Sequence, residues 1–132
     1  MTTSSSAGWV AVIDDDDAVR RSLARFFKAQ GILVAAYRSA DEYVGRGGGD
    51  LPACIVLDVQ LLKGMSSFDL VDRLDVEGKR VPVIFITGLD ELPAELCVRY
   101  PELRASLRKP FDVGSLIARV RCHLQGSGGM AP

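Results

Sequence analysis

Three aspartates, one threonine and one lysine are the side chains of this sequence that could do chemistry together. Asp14 and Asp15 open a run of aspartates directly after the apolar run Trp9-Val-Ala-Val-Ile13. Asp58 follows Ala53-Cys-Ile-Val-Leu57, Thr87 follows Val83-Ile-Phe-Ile86, and Lys109 follows a weaker apolar stretch near Ala105 to Leu107. Carboxylates gathered at one place are costly, because two unit charges about 4 Å apart repel by about 4 kcal/mol at an effective dielectric of about 20. A cation must offset them. A hard divalent ion with oxygen ligands suits such a site, and Mg2+ keeps waters, takes one or two carboxylates and leaves room for phosphate oxygens. With the Lys109 ammonium and the Thr87 hydroxyl, the set fits phosphoryl transfer to an aspartate, where a carboxylate is the nucleophile and catalysis is positioning and charge neutralisation.

Those residues meet only if the apolar runs lie side by side. Each strong run is short and rich in β-branched residues, as a strand buried on both faces requires. Ile32 to Tyr37 reads as a further strand, which makes five in all. Helical patterns separate them. Val19, Leu23, Phe26 and Phe27 mark the apolar face of a first helix, closed by Gly31, with both phenylalanines and Trp9 expected in the core. Ser39 and Glu42 read as a capping box for a short second helix, and Leu70, Val71 and Leu74 mark a third. Pro93 to Tyr100 is a fourth, bounded by Pro101. Asp112 is the expected N-cap of a fifth, whose stripe is Val113, Leu116, Ile117, Val120 and Leu124. Strands alternating with helices predict an α/β fold, a doubly wound parallel sheet with helices on both faces. Ligands of such sheets bind beyond the carboxyl ends of the strands, where the five polar residues fall.

Composition bounds the rest. The chain has 132 residues, 48% of them hydrophobic and 25% charged, which makes one domain able to bury a core without disulfides or structural metal. Its cysteines, Cys54, Cys97 and Cys122, are odd in number and lack metal-ligand spacing, so a reducing cytoplasm is the expected location. Sixteen basic against seventeen acidic residues leave a net charge of −1, without the electrostatic footprint of a nucleic-acid binder. No apolar run reaches membrane-spanning length, and the first residues carry no basic and apolar signal pattern. We expect a disordered arm over residues 1–8, a domain over 9–124 and a flexible tail over 125–132.

Four segments together carry a family resemblance. They are Val12-Ile-Asp-Asp-Asp-Asp-Ala-Val-Arg-Arg-Ser-Leu23, Ile55-Val-Leu-Asp-Val-Gln60, Val83-Ile-Phe-Ile-Thr-Gly88 and Leu107-Arg-Lys-Pro-Phe-Asp112. In this order and spacing the chain resembles a response-regulator receiver domain of two-component signalling, and most resembles receivers of the subfamily that regulates nitrogen fixation. The resemblance implies a flavodoxin-like fold with strand order 2-1-3-4-5 and five helices. It implies that Asp58 accepts a phosphoryl group from a histidine kinase or histidine phosphotransfer protein. Asp15 would be the direct Mg2+ ligand, Asp14 its water-mediated partner, and the Gln60 backbone carbonyl a further ligand. Lys109, aimed by a cis Lys109-Pro110 bond, would pair with Asp58 and then with a phosphoryl oxygen, which the Thr87 hydroxyl would also meet. Such a domain catalyses only its own phosphorylation and dephosphorylation, and acts by switching contacts with a downstream protein partner. Receivers of this kind often form homodimers through the fourth and fifth helices.

The sequence departs from the family in three places. The loop Leu61-Leu-Lys-Gly-Met-Ser-Ser67 lacks the usual proline and glycine at their set positions and runs one residue longer, which predicts an altered loop after Asp58. Ser106 stands where a Tyr or Phe usually swings inward, so the switch is expected to run through the loop and helix after Thr87. Pro101-Glu-Leu103 predicts a short fourth helix or an irregular connection. Leu89 and Gln60 hold the positions that tune loss of phosphate in the family, and Leu89 cannot orient an attacking water, which predicts slow loss. Two other readings compete. An aspartate-nucleophile phosphatase of the haloacid-dehalogenase type also uses Asp, Thr and Lys, but places an Asp where Gln60 stands and its metal acids late in the chain. A degenerate receiver would bind proteins without phosphorylation. Asp16 and Asp17 read more simply as residues favouring the positive end of the first helix.

Overall fold

The computed structural model describes residues 8–47 and 49–128. Ten elements alternate: β1 (Trp9–Ile13), α1 (Asp17–Ala29), β2 (Leu33–Tyr37), α2 (Ala40–Gly45), β3 (Cys54–Asp58), α3 (Ser67–Val76), β4 (Val83–Thr87), α4 (Ala94–Arg99), β5 (Leu107–Arg108) and α5 (Val113–Gly128), with a 3₁₀ turn at Pro101–Ala105 before β5. The strands form one parallel sheet of order β2-β1-β3-β4-β5, as the resemblance implies.

The sheet is covered on both faces because its central strands are apolar up to the last residue of β3 and β4 and alternate sides residue by residue. Ala11, Ile13, Ile55, Leu57, Val83 and Phe85 face one layer with Tyr43 of α2 and Leu70, Val71 and Leu74 of α3. Val10, Val12, Cys54, Val56, Ile84 and Ile86 face the other, where Leu23 and Phe27 of α1 meet Leu116, Ile117 and Val120 of α5. With both layers closed, polar residues enter these strands at their carboxyl ends, at Asp58 of β3 and Thr87 of β4. Burial pushes the Cys54 thiol up to about 12, which makes it an inert core group.

Local chemistry sets the helix ends. Asp16 caps α1, accepting from the Ala18 and Val19 N–H groups, while Asp17 lies in its first turn and pairs with Arg20 and Arg21. Gly31, at φ 76°, turns the chain out of α1. Ser39 caps α2 by accepting from Glu42 N at 3.0 Å, but the Glu42 carboxylate reaches Arg38 N at 2.8 Å, one residue before the partner a capping box uses. Asp112 accepts from Ser115 N at 3.1 Å at the start of α5.

Several expectations are corrected. Phe27 is fully buried but Phe26 is 43% exposed: neighbours on a helix point about 100° apart, and α1 meets the sheet along one narrow line. β5 lies at Leu107–Arg108, overlapping the expected stretch only at Leu107, because Ala105 is taken into the 3₁₀ turn. That turn follows from Pro101, which ends α4 after six residues, none of them buried. α5 continues through Gly128, beyond the expected start of a tail at residue 125, since extending a formed helix is far easier than nucleating one. Residues 1–7 of the expected arm over 1–8, and residues 129–132 of the expected tail, lie outside the described residues. Among the described residues, no helix is long and apolar enough to cross a membrane.

Candidate functional site

The carboxyl ends of β1, β3 and β4 and the start of the β5–α5 connection converge on one point. Asp14 and Asp15 follow β1, Asp58 is the last residue of β3, Thr87 is the last of β4, and Lys109 follows β5. Register places Asp58 beside Ile86, and the Lys109 N–H donates to the Thr87 carbonyl at 2.7 Å, so the three central residues are held by sheet-type hydrogen bonds rather than by loops. The Lys109–Pro110 peptide is cis.

Asp14 and Asp58 are buried, at 0% and 4% exposure, whereas Asp15 stands in solvent at the rim. Oxygens of the three carboxylates lie within 4.8 Å of one another. Lys109 Nζ sits 3.0 Å from Asp14 Oδ2 and 3.3 Å from Asp58 Oδ2, one ammonium shared between two buried carboxylates. Asp58 Oδ1 accepts from the Gln60 N–H at 2.9 Å, and Asp14 Oδ1 from the Asp16 N–H at 2.9 Å. Asp14 Oδ2 is buried without an aligned hydrogen bond, held only by its ion pair.

Burial is the largest influence on Asp58 and raises its carboxyl to about 6, with Asp14 adding to the rise and the Gln60 N–H and Lys109 opposing it. Burial alone would lower Lys109, but the carboxylates of Asp14 and Asp58 outweigh it and hold the ammonium above its ordinary value. The site therefore carries more negative charge than its lysine neutralises. An under-bonded buried carboxylate oxygen, a second buried carboxylate and an exposed third within reach make an oxygen donor set that fits Mg2+.

The structure thus brings together Asp14, Asp15, Asp58 and Lys109, and sets Thr87 beside them, 3% exposed. Thr87 Oγ1 accepts from the Leu89 N–H at 2.9 Å, which leaves its own hydrogen free to donate. Gln60 enters through its backbone N–H. Two supporting residues escape a reading by sequence. Ser67, fully buried, donates to the Asp58 carbonyl and clamps the end of β3; the signal was the Ser66-Ser67 pair, of which only Ser66 caps α3. Arg20 Nη1 donates to the Asp14 carbonyl at 2.8 Å and ties α1 to the acidic loop.

Comparison with known proteins agrees with this geometry. Residues 10–121 match the family described as the response regulator receiver domain. The chain is 40% identical over 117 residues to the transcriptional regulatory protein FixJ of Azorhizobium caulinodans, a match covering 87% of this chain and 54% of that protein. It is 36% identical over 119 residues to nodulation protein W of Bradyrhizobium diazoefficiens, covering 90% and 52%. The chain spans about half the length of these curated relatives. Among solved structures it is similar to a response regulator receiver protein from Burkholderia phymatum, with a TM-score of 0.73 and 36% identity over 95% of this chain and 98% of that one. It shares its fold with the Francisella response regulator 1452 receiver domain, at a TM-score of 0.75 and 24% identity over 91% and 98% of the two chains. An acidic cluster at the carboxyl edge of a 2-1-3-4-5 sheet, in a chain whose sequence matches along nearly its whole described length, leads to one conclusion: this chain belongs to the response regulator receiver domain family of two-component systems.

Proposed function

We propose that the domain accepts a phosphoryl group on Asp58 from a histidine kinase or histidine phosphotransfer protein, in a Mg2+-dependent reaction, and thereby switches its contacts with a downstream protein. The observation that carries this reading is the single ammonium of Lys109 shared between Asp14 and Asp58, with Asp15 in reach. Asp14, Asp15 and Asp58, with the Gln60 carbonyl, would hold the ion. Bound there, Mg2+ supplies the charge neutralisation that lets an anionic phosphoryl group approach carboxylates.

The chain's own groups do the rest. The Gln60 N–H and Lys109 Nζ each hold one oxygen of Asp58 and so fix the plane of the nucleophile. A carboxyl near 6 is mostly ionised at neutral pH, as a nucleophile must be. One Asp58 oxygen forms a bond to phosphorus as the bond from phosphorus to the donor nitrogen breaks. The new phosphoryl oxygens then fall to Lys109 and to the free hydrogen of the Thr87 hydroxyl.

Beryllofluoride, an analogue of the phosphoryl group, tests this directly. Amide spectra of the wild type should shift only when Mg2+ is also present, and Asp58→Asn should remove the response. Shifts should concentrate from Thr87 through α4, because the Thr87 hydroxyl holds the Leu89 N–H and α4 has no fully buried side chain, only Leu96 and Cys97 packed partly against the core. Binding without Mg2+, or binding that survives Asp58→Asn, would overturn the reading. The intact ion-paired acidic set speaks against a phosphorylation-independent binding module, and membership of the receiver family removes the haloacid-dehalogenase alternative.

Lifetime is a separate prediction. Leu89 is 37% exposed two residues beyond Thr87 and offers no group that could orient a water. Phosphate loss should be slow, and Leu89→Glu should speed the decay of phosphorylated protein by about tenfold. An unchanged decay constant would count against it.

A further inference from the structure

The loop between β3 and α3 is tied down at two points. The Leu62 N–H donates to Asp15 Oδ2 at 3.1 Å, across 47 residues of sequence. Three residues on, the Met65 N–H donates to Asp41 Oδ2 at 2.9 Å, a carboxylate from the first turn of α2. Between them Gly64 adopts φ +73°, a region that residues with a Cβ rarely enter, and a Cβ there would collide with Asp41 Oδ2. The Leu62 side chain is 83% exposed, so the grip on Asp15 is made by backbone alone. Leu61 and Met65 on either side pack against the core, while Leu62 itself is held to Asp15 through its N–H.

We infer that Asp41 is a positioning residue for the metal site: by holding the β3–α3 loop through Met65, it presents the Leu62 N–H to Asp15 and fixes the orientation of the one solvent-exposed carboxylate of the acidic set. This rests on the reading that Asp15 helps to hold Mg2+. The physical need is specific to Asp15. Asp14 and Asp58 are immobilised by burial and by Lys109, whereas an exposed aspartate keeps its rotamer freedom unless something holds it, and a ligand that must first be ordered binds its ion more weakly. The chain Asp41, Met65, Leu62, Asp15 supplies that order from α2, an element that contributes no ligand itself. Gly64 is the hinge that lets the backbone pass so close to Asp41.

A Mg2+ titration of the whole chain, followed by the amide shifts of Asp15 and Leu62, tests the inference. Asp41→Ala and Gly64→Ala should each weaken Mg2+ affinity by about tenfold, the scale of losing a group that orients a metal ligand. Asp41→Asn should stay close to the wild type, because its amide oxygen still accepts from Met65 N–H. The double variant Asp41→Ala with Gly64→Ala should bind no more weakly than either single variant, since both break one latch. A purely structural role would lower the thermal midpoint in metal-free buffer in step with affinity; the inference expects the affinity of Asp41→Ala to fall while that midpoint holds, and Asp41→Asn to restore the affinity. Wild-type affinity in Asp41→Ala, or loss in Asp41→Asn equal to that in Asp41→Ala, would overturn the inference alone. A wild type that gives no Mg2+ response, or one that survives Asp15→Asn, would overturn the metal reading and this inference with it.

Discussion

Asp58→Asn is expected to abolish phosphoryl uptake and at the same time to make the domain more stable at neutral pH, with a thermal midpoint higher by roughly 5 °C, the equivalent of about 1–2 kcal/mol. The two effects have one cause. Burial holds the Asp58 carboxyl at about 6 against an ordinary value of 3.8, so its ionised form is less favourable in the folded chain than in the unfolded one. Between those two values the folded state binds more protons than the unfolded state, and stability falls as pH rises through the window. Above about 6 the full cost is present; below 3.8 it is gone. Asparagine carries no such cost, and its carbonyl oxygen can still accept from the Gln60 N–H that Asp58 Oδ1 now engages. Lys109 retains Asp14 at 3.0 Å. Thermal melts of both proteins from pH 8 down to pH 4 should therefore converge on the acid side. A midpoint below the wild type at pH 8, or a gap that does not narrow on acidification, would show that Asp58 is not held against its solvation. The variant should take up no phosphate from a small-molecule phosphodonor.

Lys109→Met should act in the opposite direction. Methionine keeps most of the aliphatic stem and loses the ammonium, which leaves Asp14 and Asp58 facing each other with no protein cation between them. Breaking a buried ion pair by removing one partner costs up to 3–5 kcal/mol, and the Lys109 side chain is a quarter exposed, so water softens the loss here to about 2–3 kcal/mol, or roughly 10 °C in thermal midpoint. The loss should be largest above pH 6 and recover on acidification, as a carboxyl takes the proton that replaces the missing charge. Mg2+ should restore part of it, and the penalty should shrink in an Asp58→Asn background, where one of the two carboxylates is already neutral. Phosphoryl uptake should fall by at least about a hundredfold, the scale of removing one preorganised donor from developing negative charge. Equal melting of Lys109→Met and wild type across this pH range would overturn the argument. Because the two carboxylates keep the ammonium raised, Lys109 should stay charged throughout the neutral range, and its pair with Asp58 should weaken on the acid side as that carboxyl takes a proton near 6.

The pair of variants describes a site in which stability and function oppose each other. Gathering Asp14 and Asp58 under one lysine costs the fold free energy that the apolar layers on either side of the sheet must supply. Those layers were the most legible part of the molecule. A strand buried on both faces has little choice but to be apolar at every position, and Val10 to Ile13, Cys54 to Leu57 and Val83 to Ile86 are. Where the pattern was weak, the reading slipped. β5 has only two residues at the edge of the sheet, and one of them is exposed, so periodicity had nothing to register. Phe26 and Phe27 look alike in sequence, and only the line along which α1 meets the sheet decides that Phe27 goes in.

The site divides the same way. Asp14, Asp15, Asp58, Thr87 and Lys109 could be found in sequence because each directly follows or ends a strand, and parallel strands must deliver their carboxyl ends to one edge. Ser67, Arg20 and Asp41 could not, because their work is done by bonds to backbone atoms of residues far along the chain: the Asp58 carbonyl, the Asp14 carbonyl and the Met65 N–H. Backbone atoms have no residue type, so no spacing or composition announces them. Sequence alone determined the order of elements, the two apolar layers and the residues delivered to the active edge, since these follow from periodicity and from where polar residues interrupt it. Tertiary structure decided how a single ammonium is divided between two buried carboxylates and how the β3–α3 loop is tied from α2 to Asp15, since distance, burial and backbone direction exist only once the chain has folded.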